Sequence, residues 1–272
     1  MLSINSNISS LTAQENLNSS GSALSQAITR LSSGKRINTA ADDAAGNAIA
    51  TSQTSMINAL NQGVANANNA VSMVQTANGA LTSTIADLQR IRQLAVEAGD
   101  GSLNSAALGN LDSEVQTRLA DITRIAQQTT FNGTAVLSGA GSVNFQIGAF
   151  AGQTTTISFG STTWDSSGLG VNSLSVSTTA GAQSAMTLID TALASVNTFQ
   201  ATLGAQQNTI TQAISTTQTE STNMSAAESQ ITDADFAQET ANLSKAQVLQ
   251  QAGISVLAQA NSLPQQVLKL LQ

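Results

Sequence analysis

The sequence predicts a mainly α-helical fold, a long antiparallel helical bundle or coiled coil in which the N- and C-terminal helices also pair as a coiled coil. Apolar and small residues recur at alternating three- and four-residue spacing over most of the 272 residues, as on helix faces that pack against other helices. Residues 131–176 instead alternate apolar residues with Gly and Thr, which predicts a small β-hairpin region. Only 3% of the residues are aromatic, so the helices must pack closely through small side chains.

The first predicted helix ends before Gly34, because a glycine after the last apolar residue is typical of a helix C-terminus. Its apolar side is marked by four residues: Leu17, Leu24, Ile28 and Leu31. Residues 35–41 then form a connector.

The second predicted helix extends from residue 43 to residue 98, which is roughly 80 Å at about 1.5 Å per residue. Thr39 and Asp42 have the spacing of a capping box before this helix. Residues 99–101 break the helix, and a shorter one follows from about Asn104 to Gln128.

The fourth predicted helix repeats apolar residues every seven positions, with Thr217 as the one polar member: Ile189, Val196, Leu203, Ile210, Met224 and Ile231. Thr232 and Asp235 repeat the capping-box form, so the last helix is predicted to begin there. The apolar line of that last helix consists of Ala246, Leu249, Gly253, Val256, Ala260, Leu263, Val267 and Leu270. A second line, which includes Leu257, lies beside it, so one partner helix cannot cover the apolar surface.

The breaks near residues 38 and 232 divide the chain into two domains. We expect residues 1–42 and 233–272 to be the two halves of a terminal coiled-coil domain. Residues 43–137, 138–180 and 181–232 are expected to form the first part, the short β region and the last helix of a rod domain. The terminal pair is poor in large apolar residues, so we expect it to be disordered in an isolated chain and to order on assembly.

Composition excludes several classes of function. The net charge is -7 with scattered basic residues, so no nucleic-acid partner is expected. The chain has no Cys and no His, which argues against cofactors, metal sites and an enzyme; a secreted enzyme is the disfavoured alternative of a different class. Gln and Asn within the last apolar stretch argue against membrane insertion.

Several runs of residues resemble bacterial flagellin, the subunit of the flagellar filament, and the similarity extends over nearly the whole chain. The runs occupy residues 31–38 (LSSGKRIN), 42–46 (DDAAG), 88–95 (LQRIRQLA), 128–133 (QTTFNG), 246–253 (AQVLQQAG) and 256–261 (VLAQAN). The segment from about Ser138 to Ala180 is short, so the chain resembles a form that lacks large outer domains.

The resemblance implies a structural protein that self-assembles into the helical filament of the bacterial flagellum and serves motility. It implies export in an unfolded state by the flagellar type III system, and an extracellular, secreted location. The implied partners are other copies of the chain, the export chaperone, the filament cap and the hook-filament junction proteins. The alternative within the same family is a hook-filament junction protein.

The resemblance also implies roles for particular residues. The terminal helices would form the core of the filament through Leu17, Leu24, Ile28, Leu31, Leu249, Val256, Leu257, Leu263, Val267 and Leu270. Innate immune recognition by the Toll-like receptor for flagellin would use Gln89, Arg90, Leu94 and Glu114. The simpler interpretation, which stays open, is that these four residues only stabilise the bundle and its contacts with other copies.

Overall fold

A computed structural model describes residues 6–270, with side chains described for residues 6–262. The described residues form five helices and two antiparallel strand pairs, which confirms the predicted mainly helical fold. The elements are α1 (Ile8–Ser33), α2 (Ala44–Ala98), α3 (Ser105–Gln128), β1 (Thr130–Phe131), β2 (Thr134–Ala135), β3 (Gly141–Gln146), β4 (Thr154–Gly160), α4 (Thr179–Thr232) and α5 (Phe236–Leu270). The chain divides into two compact units: unit 1 comprises the described parts of residues 1–55 and 223–272, and unit 2 comprises residues 56–222.

The end of α1 follows the sequence prediction. Gly34 adopts the left-handed conformation, with φ of 70°, and its backbone N–H donates to the Arg30 carbonyl. In unit 1 the connector after α1 then runs beside the end of α4, where the Arg36 backbone N–H donates to the Thr232 carbonyl at 2.6 Å. The Ala234 N–H in turn donates to the Gly34 carbonyl at 2.9 Å. These bonds hold the two predicted breaks side by side.

The capping box predicted at Thr39 and Asp42 does not cap α2. The Asp42 carboxylate accepts from the Thr39 backbone N–H at 2.9 Å and from its hydroxyl at 3.0 Å, which closes a separate turn. The backbone hydrogen bond from Thr39 is the main reason that the pKa of Asp42 lies below its ordinary value. The residue directly before the helix, Asp43, accepts instead from the Gly46 N–H at 2.9 Å and is the N-cap.

The same correction applies to the start of α5. Thr232 is the last residue of α4, and its hydroxyl donates to the Glu228 carbonyl rather than opening a capping box. Asp235 directly precedes α5 and accepts from the N–H groups of Ala237 and Gln238 at 2.9 and 3.3 Å. In both places an aspartate immediately before the first helical residue reaches the unpaired N–H groups.

Unit 2 is an antiparallel helical bundle around one apolar core. Contacts between α2 and α4 keep a constant antiparallel register. From one contact to the next, the position on α2 advances by as many residues as the position on α4 goes back. The three pairs are Asn61 with Ser221, Thr82 with Gln200, and Arg92 with Asp190. Of the period-seven residues predicted on α4, Ile189, Val196, Leu203, Ile210 and Thr217 are buried, whereas Met224 and Ile231 are only partly buried. Helix α3 adds four buried residues: Val115, Leu119, Ile122 and Ala126.

The predicted β region is present but ends earlier than expected. Strands β1 and β2 are joined by Asn132 and Gly133, with φ of 48° and 80°, as in the tight hairpin turns that require two positive φ values. Strands β3 and β4 form a second hairpin, which approaches α2 closely because a side chain at Gly63 would clash with the Ile147 carbonyl. After Gly160 the chain is irregular, although it still contributes the stacked Trp164 to the core.

In unit 1, α1 and α5 lie antiparallel and form the predicted terminal pair. The Asn7 amide donates to the Ala260 carbonyl at 2.8 Å, and the Ser10 hydroxyl donates to Asn261 at 2.7 Å. Arg30 faces Glu239 near the other end of the pair. The structure therefore pairs these helices within one chain, and the disorder expected for an isolated chain stays a prediction.

Candidate assembly and recognition surfaces

The interface between α1 and α5 is built from small residues. Ala27 is 1% exposed, and Ala246 and Ala260 are 4% and 5% exposed, so each lies within the interface. A Cβ atom added at Gly253 would lie 3.3 Å from Leu17 Cδ1, which shows how closely the helices approach. Such close packing explains why a pair with few large apolar residues can form.

Only part of the predicted apolar line on α5 faces α1. Leu249 and Val256 are 48% and 57% exposed, whereas Leu257, assigned to the second line, is half-buried. The covered line consists of Leu243, Ala246, Gln250, Gly253, Leu257 and Ala260. The covered line thus keeps the predicted small residues Ala246, Gly253 and Ala260, but Gln250 and Leu257 take the places predicted for Leu249 and Val256.

The remaining assembly residues are divided between covered and exposed positions. On α1, Leu17, Leu24 and Leu31 are half-buried, whereas Ile28 is exposed. The side chains of Leu263, Val267 and Leu270 lie outside the described residues, so their predicted role in the filament core stays a prediction.

Two apolar stripes on the terminal pair remain exposed. The α5 stripe consists of Val248, Leu249 and Val256, and the α1 stripe consists of Ile8 and Leu11. Each of these five side chains is about half exposed or more. Leu249 and Val256 are seven residues apart and Ile8 and Leu11 are three apart, so each pair lies on one helix face, and Val248 lies beside Leu249. Each stripe is therefore a surface suited to a partner helix.

The residues of the implied receptor contact form a charged cluster on unit 2. Arg90 on α2 and Glu114 on α3 form a bidentate ion pair, with Nε–Oε1 and Nη2–Oε2 distances of 2.8 and 3.2 Å. Arg118 extends the cluster, because Nη1 contacts Asp87 at 3.1 Å and Nη2 lies 3.9 Å from Glu114. Gln89 is exposed beside Arg90. The cluster therefore joins α2 to α3 and still presents charged groups to solvent.

Leu94 is not part of this exposed cluster. Its side chain has no exposed surface and belongs to the core of unit 2. Leu94 follows Ile91 by three residues and precedes Ala98 by four, and all three are buried, so they share the packed face of α2. A fully buried side chain cannot contact a receptor in this conformation, which favours the simpler interpretation that Leu94 stabilises the bundle.

No local pattern indicates that Arg118 and Asp87 belong to the cluster, or that Arg90 pairs with Glu114. The partners of Arg90 and of Arg118 across the helices are 24 and 31 residues away in the chain. No local spacing rule covers such distances, whereas the i,i+4 relation between Glu114 and Arg118 is visible in the sequence.

Replacing Arg90 with Ala is expected to raise the pKa of Glu114 toward its ordinary value of 4.5. The hydrogen bonds from Arg90 are the largest cause of the lowered pKa, and charge attraction to Arg90 and Arg118 adds to it. A lowered carboxyl pKa contributes stability that is present above the unfolded-state value and is lost as the pH falls through the folded-state value. Carboxyl-carbon NMR titration of Glu114 in both proteins measures the change.

The matched control is Arg92→Ala, which removes the arginine that lowers the pKa of Asp190. It should raise the pKa of Asp190 and leave that of Glu114 unchanged. An unchanged Glu114 titration in Arg90→Ala would show that the ion pair does not persist in solution.

The described part of the chain offers no metal site and no membrane-spanning segment. Within residues 6–270 there is no group of three or more acidic, His or Cys residues arranged to hold a metal ion. None of the described helices is both long and apolar enough to cross a membrane.

Comparisons with known proteins agree over both ends of the chain. The family model described as the bacterial flagellin N-terminal helical region matches residues 4–142, and the one described as the bacterial flagellin C-terminal helical region matches residues 186–271. A flagellin of Xenorhabdus nematophila is 38% identical over 311 aligned residues, which cover 99% of each chain. The flagellar filament 30.7 kDa core protein of Treponema maltophilum is 36% identical and covers 98% of this chain and 99% of that protein.

A solved structure is also similar. The crystal structure of Bacillus cereus flagellin matches with a TM-score of 0.51 and 29% sequence identity. The match covers 60% of this chain and 94% of that chain.

Proposed function

The chain belongs to the bacterial flagellin family, and from this membership we propose that it is a structural subunit that self-assembles into the helical filament of a bacterial flagellum. One observation supports self-assembly most directly: the α1 and α5 stripes stay exposed on a helix pair that is otherwise closely packed. Exposed apolar stripes of this kind mark interaction surfaces. Identical chains that contact each other through two different surfaces form a ring only if the rotation between neighbouring copies closes the circle. Otherwise the contacts continue into a helical filament.

We propose that the two domains occupy different layers of the filament. Residues 1–42 and 233–272 would form the inner coiled-coil layer, and residues 43–232 would form the rod of the outer layer. The short segment 138–180 leaves little material for outer domains. The exposed stripes of the terminal pair support this proposal, because an inner layer is where other copies would cover them.

The proposed route to the filament follows from family membership. The subunit would be exported unfolded by the flagellar type III system and would add to an extracellular filament, with the export chaperone, the filament cap and the hook-filament junction proteins as partners. Its role would be structural rather than catalytic, as for the family to which it belongs.

Seeded growth tests the proposed function. Purified chain is added to short filament fragments sheared from its own filaments, and filament length is followed by electron microscopy. The proposal expects elongation to many times the seed length. Growth that stops after a few added copies would favour the hook-filament junction alternative, and the absence of any growth would contradict assembly.

We further propose that the exposed part of the charged cluster, Gln89, Arg90 and Glu114, contacts the Toll-like receptor for flagellin. Arg90 and Glu114 form an ion pair in the free chain, so a receptor that binds either side chain must compete with that pair. Arg90→Ala monomer is expected to give at least about a tenfold weaker response in a receptor reporter cell, since charged interface pairs are worth about 1.5 kcal/mol or more. Arg92→Ala is the control, and an equal loss in both variants would contradict a specific contact.

A further inference from the structure

The terminal helix pair carries very few charges. Among the described side chains of α1 and α5 there are four: Glu15, Arg30, Glu239 and Lys245. Arg30 and Glu239 face each other across the pair at 4.0 Å. Glu15 and Lys245 are exposed and have no hydrogen bond or ion pair with any described residue. One unpaired carboxylate and one unpaired ammonium therefore remain.

Each unpaired charge lies on one of the exposed apolar stripes. Lys245 precedes Val248 and Leu249 by three and four residues and so shares the helix face of the α5 stripe. Glu15 follows Leu11 and Ile8 by four and seven residues and shares the face of the α1 stripe. The two stripes are thus both apolar and carry charges of opposite sign.

The surroundings of Lys245 suit a carboxylate. Lys245 and Leu249 line a groove of about 290 Å³ between α1 and α5, together with Ser19, Arg30 and Glu239. Two cations and one anion give the groove a net positive charge. The Ser19 hydroxyl is exposed and has no hydrogen-bond partner among the described residues, so it is available as a donor.

We propose that the α1 stripe of a second copy covers the α5 stripe, and that Glu15 of that second copy enters this groove and pairs with Lys245. The proposal rests on the self-assembly proposed above and names two of its contacting surfaces. Covering the α5 stripe removes water from Lys245, and an ammonium that loses water without a partner is costly. The α1 stripe brings an apolar face and its carboxylate together, so one docking event satisfies both requirements.

Charge reversal tests this pairing through seeded growth. Glu15→Lys and Lys245→Glu are each expected to raise the concentration needed for elongation by about tenfold or more, because like charges would then meet across the contact. The double variant Glu15→Lys/Lys245→Glu restores opposite charges and is expected to elongate within about threefold of the wild type. Glu220→Lys is the matched control, since Glu220 is also exposed and unpaired among the described residues but lies on α4.

The outcomes separate this inference from the proposed function. Wild-type chain that does not elongate would contradict self-assembly itself. Two results would overturn the pairing alone, provided that the wild-type chain elongates. One is that Glu15→Lys elongates as well as the wild type. The other is that the double variant elongates no better than the single variants. Loss of growth in Lys245→Glu but not in Glu15→Lys would also overturn the pairing, because Lys245 would then meet another group. Circular dichroism and Tm of each variant, with Glu15→Gln as a milder change, separate a folding defect from a contact defect.

Discussion

A chain shortened by deletion of residues 232–272 is expected to keep the folded core of unit 2 and to lose filament growth completely. The deletion removes all of α5 and with it the partner of α1, the α5 stripe and Lys245. The core of unit 2 lies within residues 56–222 and does not include the deleted segment. Circular dichroism measures the retained helix, and electron microscopy of seeded reactions measures growth.

Full-length chain from the same preparation is the positive control for this experiment. The shortened chain should also fail to enter filaments when mixed with full-length chain, because it lacks the surface that other copies contact. Filaments grown from the shortened chain alone would contradict the assignment of assembly to the terminal pair.

Leu94→Ala is expected to destabilise the protein by about 2 to 5 kcal/mol, as for other leucines removed from a packed core. Leu94 is fully buried among the core residues of unit 2, so the substitution leaves a cavity. Urea unfolding followed by circular dichroism measures the loss of free energy. The receptor response of the variant should fall only in proportion to its folded fraction, since the side chain is not on the surface.

Leu188→Ala is the matched control for the core substitution. Leu188 is a leucine on α4 that is 41% exposed, and its removal is expected to change the stability by about 0.5 kcal/mol or less. A Leu94→Ala protein as stable as the Leu188→Ala protein would contradict the buried position of Leu94. A loss of receptor response at full stability would instead place Leu94 on the recognition surface.

The helices were predictable because their sequence signals are local and repeated. The period-seven residues Ile189, Val196 and Leu203 mark one face of α4 without any knowledge of distant partners, and all three are buried. Gly34 likewise ends α1 because its left-handed conformation depends on its own lack of a side chain. Signals of this kind remain visible in the sequence whatever the rest of the chain does.

The helix starts were less predictable because two local signals competed. At both Thr39–Asp42 and Thr232–Asp235 the spacing of a capping box was present, but an aspartate directly before the helix made the cap instead. Asp43 and Asp235 reach the free N–H groups of the first turn, and nothing in the spacing alone ranks the two possibilities.

The surfaces could be predicted only in part because they depend on how closely helices approach. The sequence indicates an apolar line on α5 that includes Leu249, whereas the covered line includes Leu257 and leaves Leu249 exposed. The run that contains Arg90 was recognised from its sequence, whereas the burial of Leu94 and the ion pair with Glu114 follow from tertiary packing.

An electron cryomicroscopy map of filaments grown from this chain alone would show directly whether the terminal helices build the inner layer. We expect a helical filament whose inner layer consists of α1 and α5 from many copies, with Leu249 and Val256 covered by helices of neighbouring copies. Filaments in which the α5 stripe faces solvent, or in which the inner layer is built from other segments, would contradict this expectation.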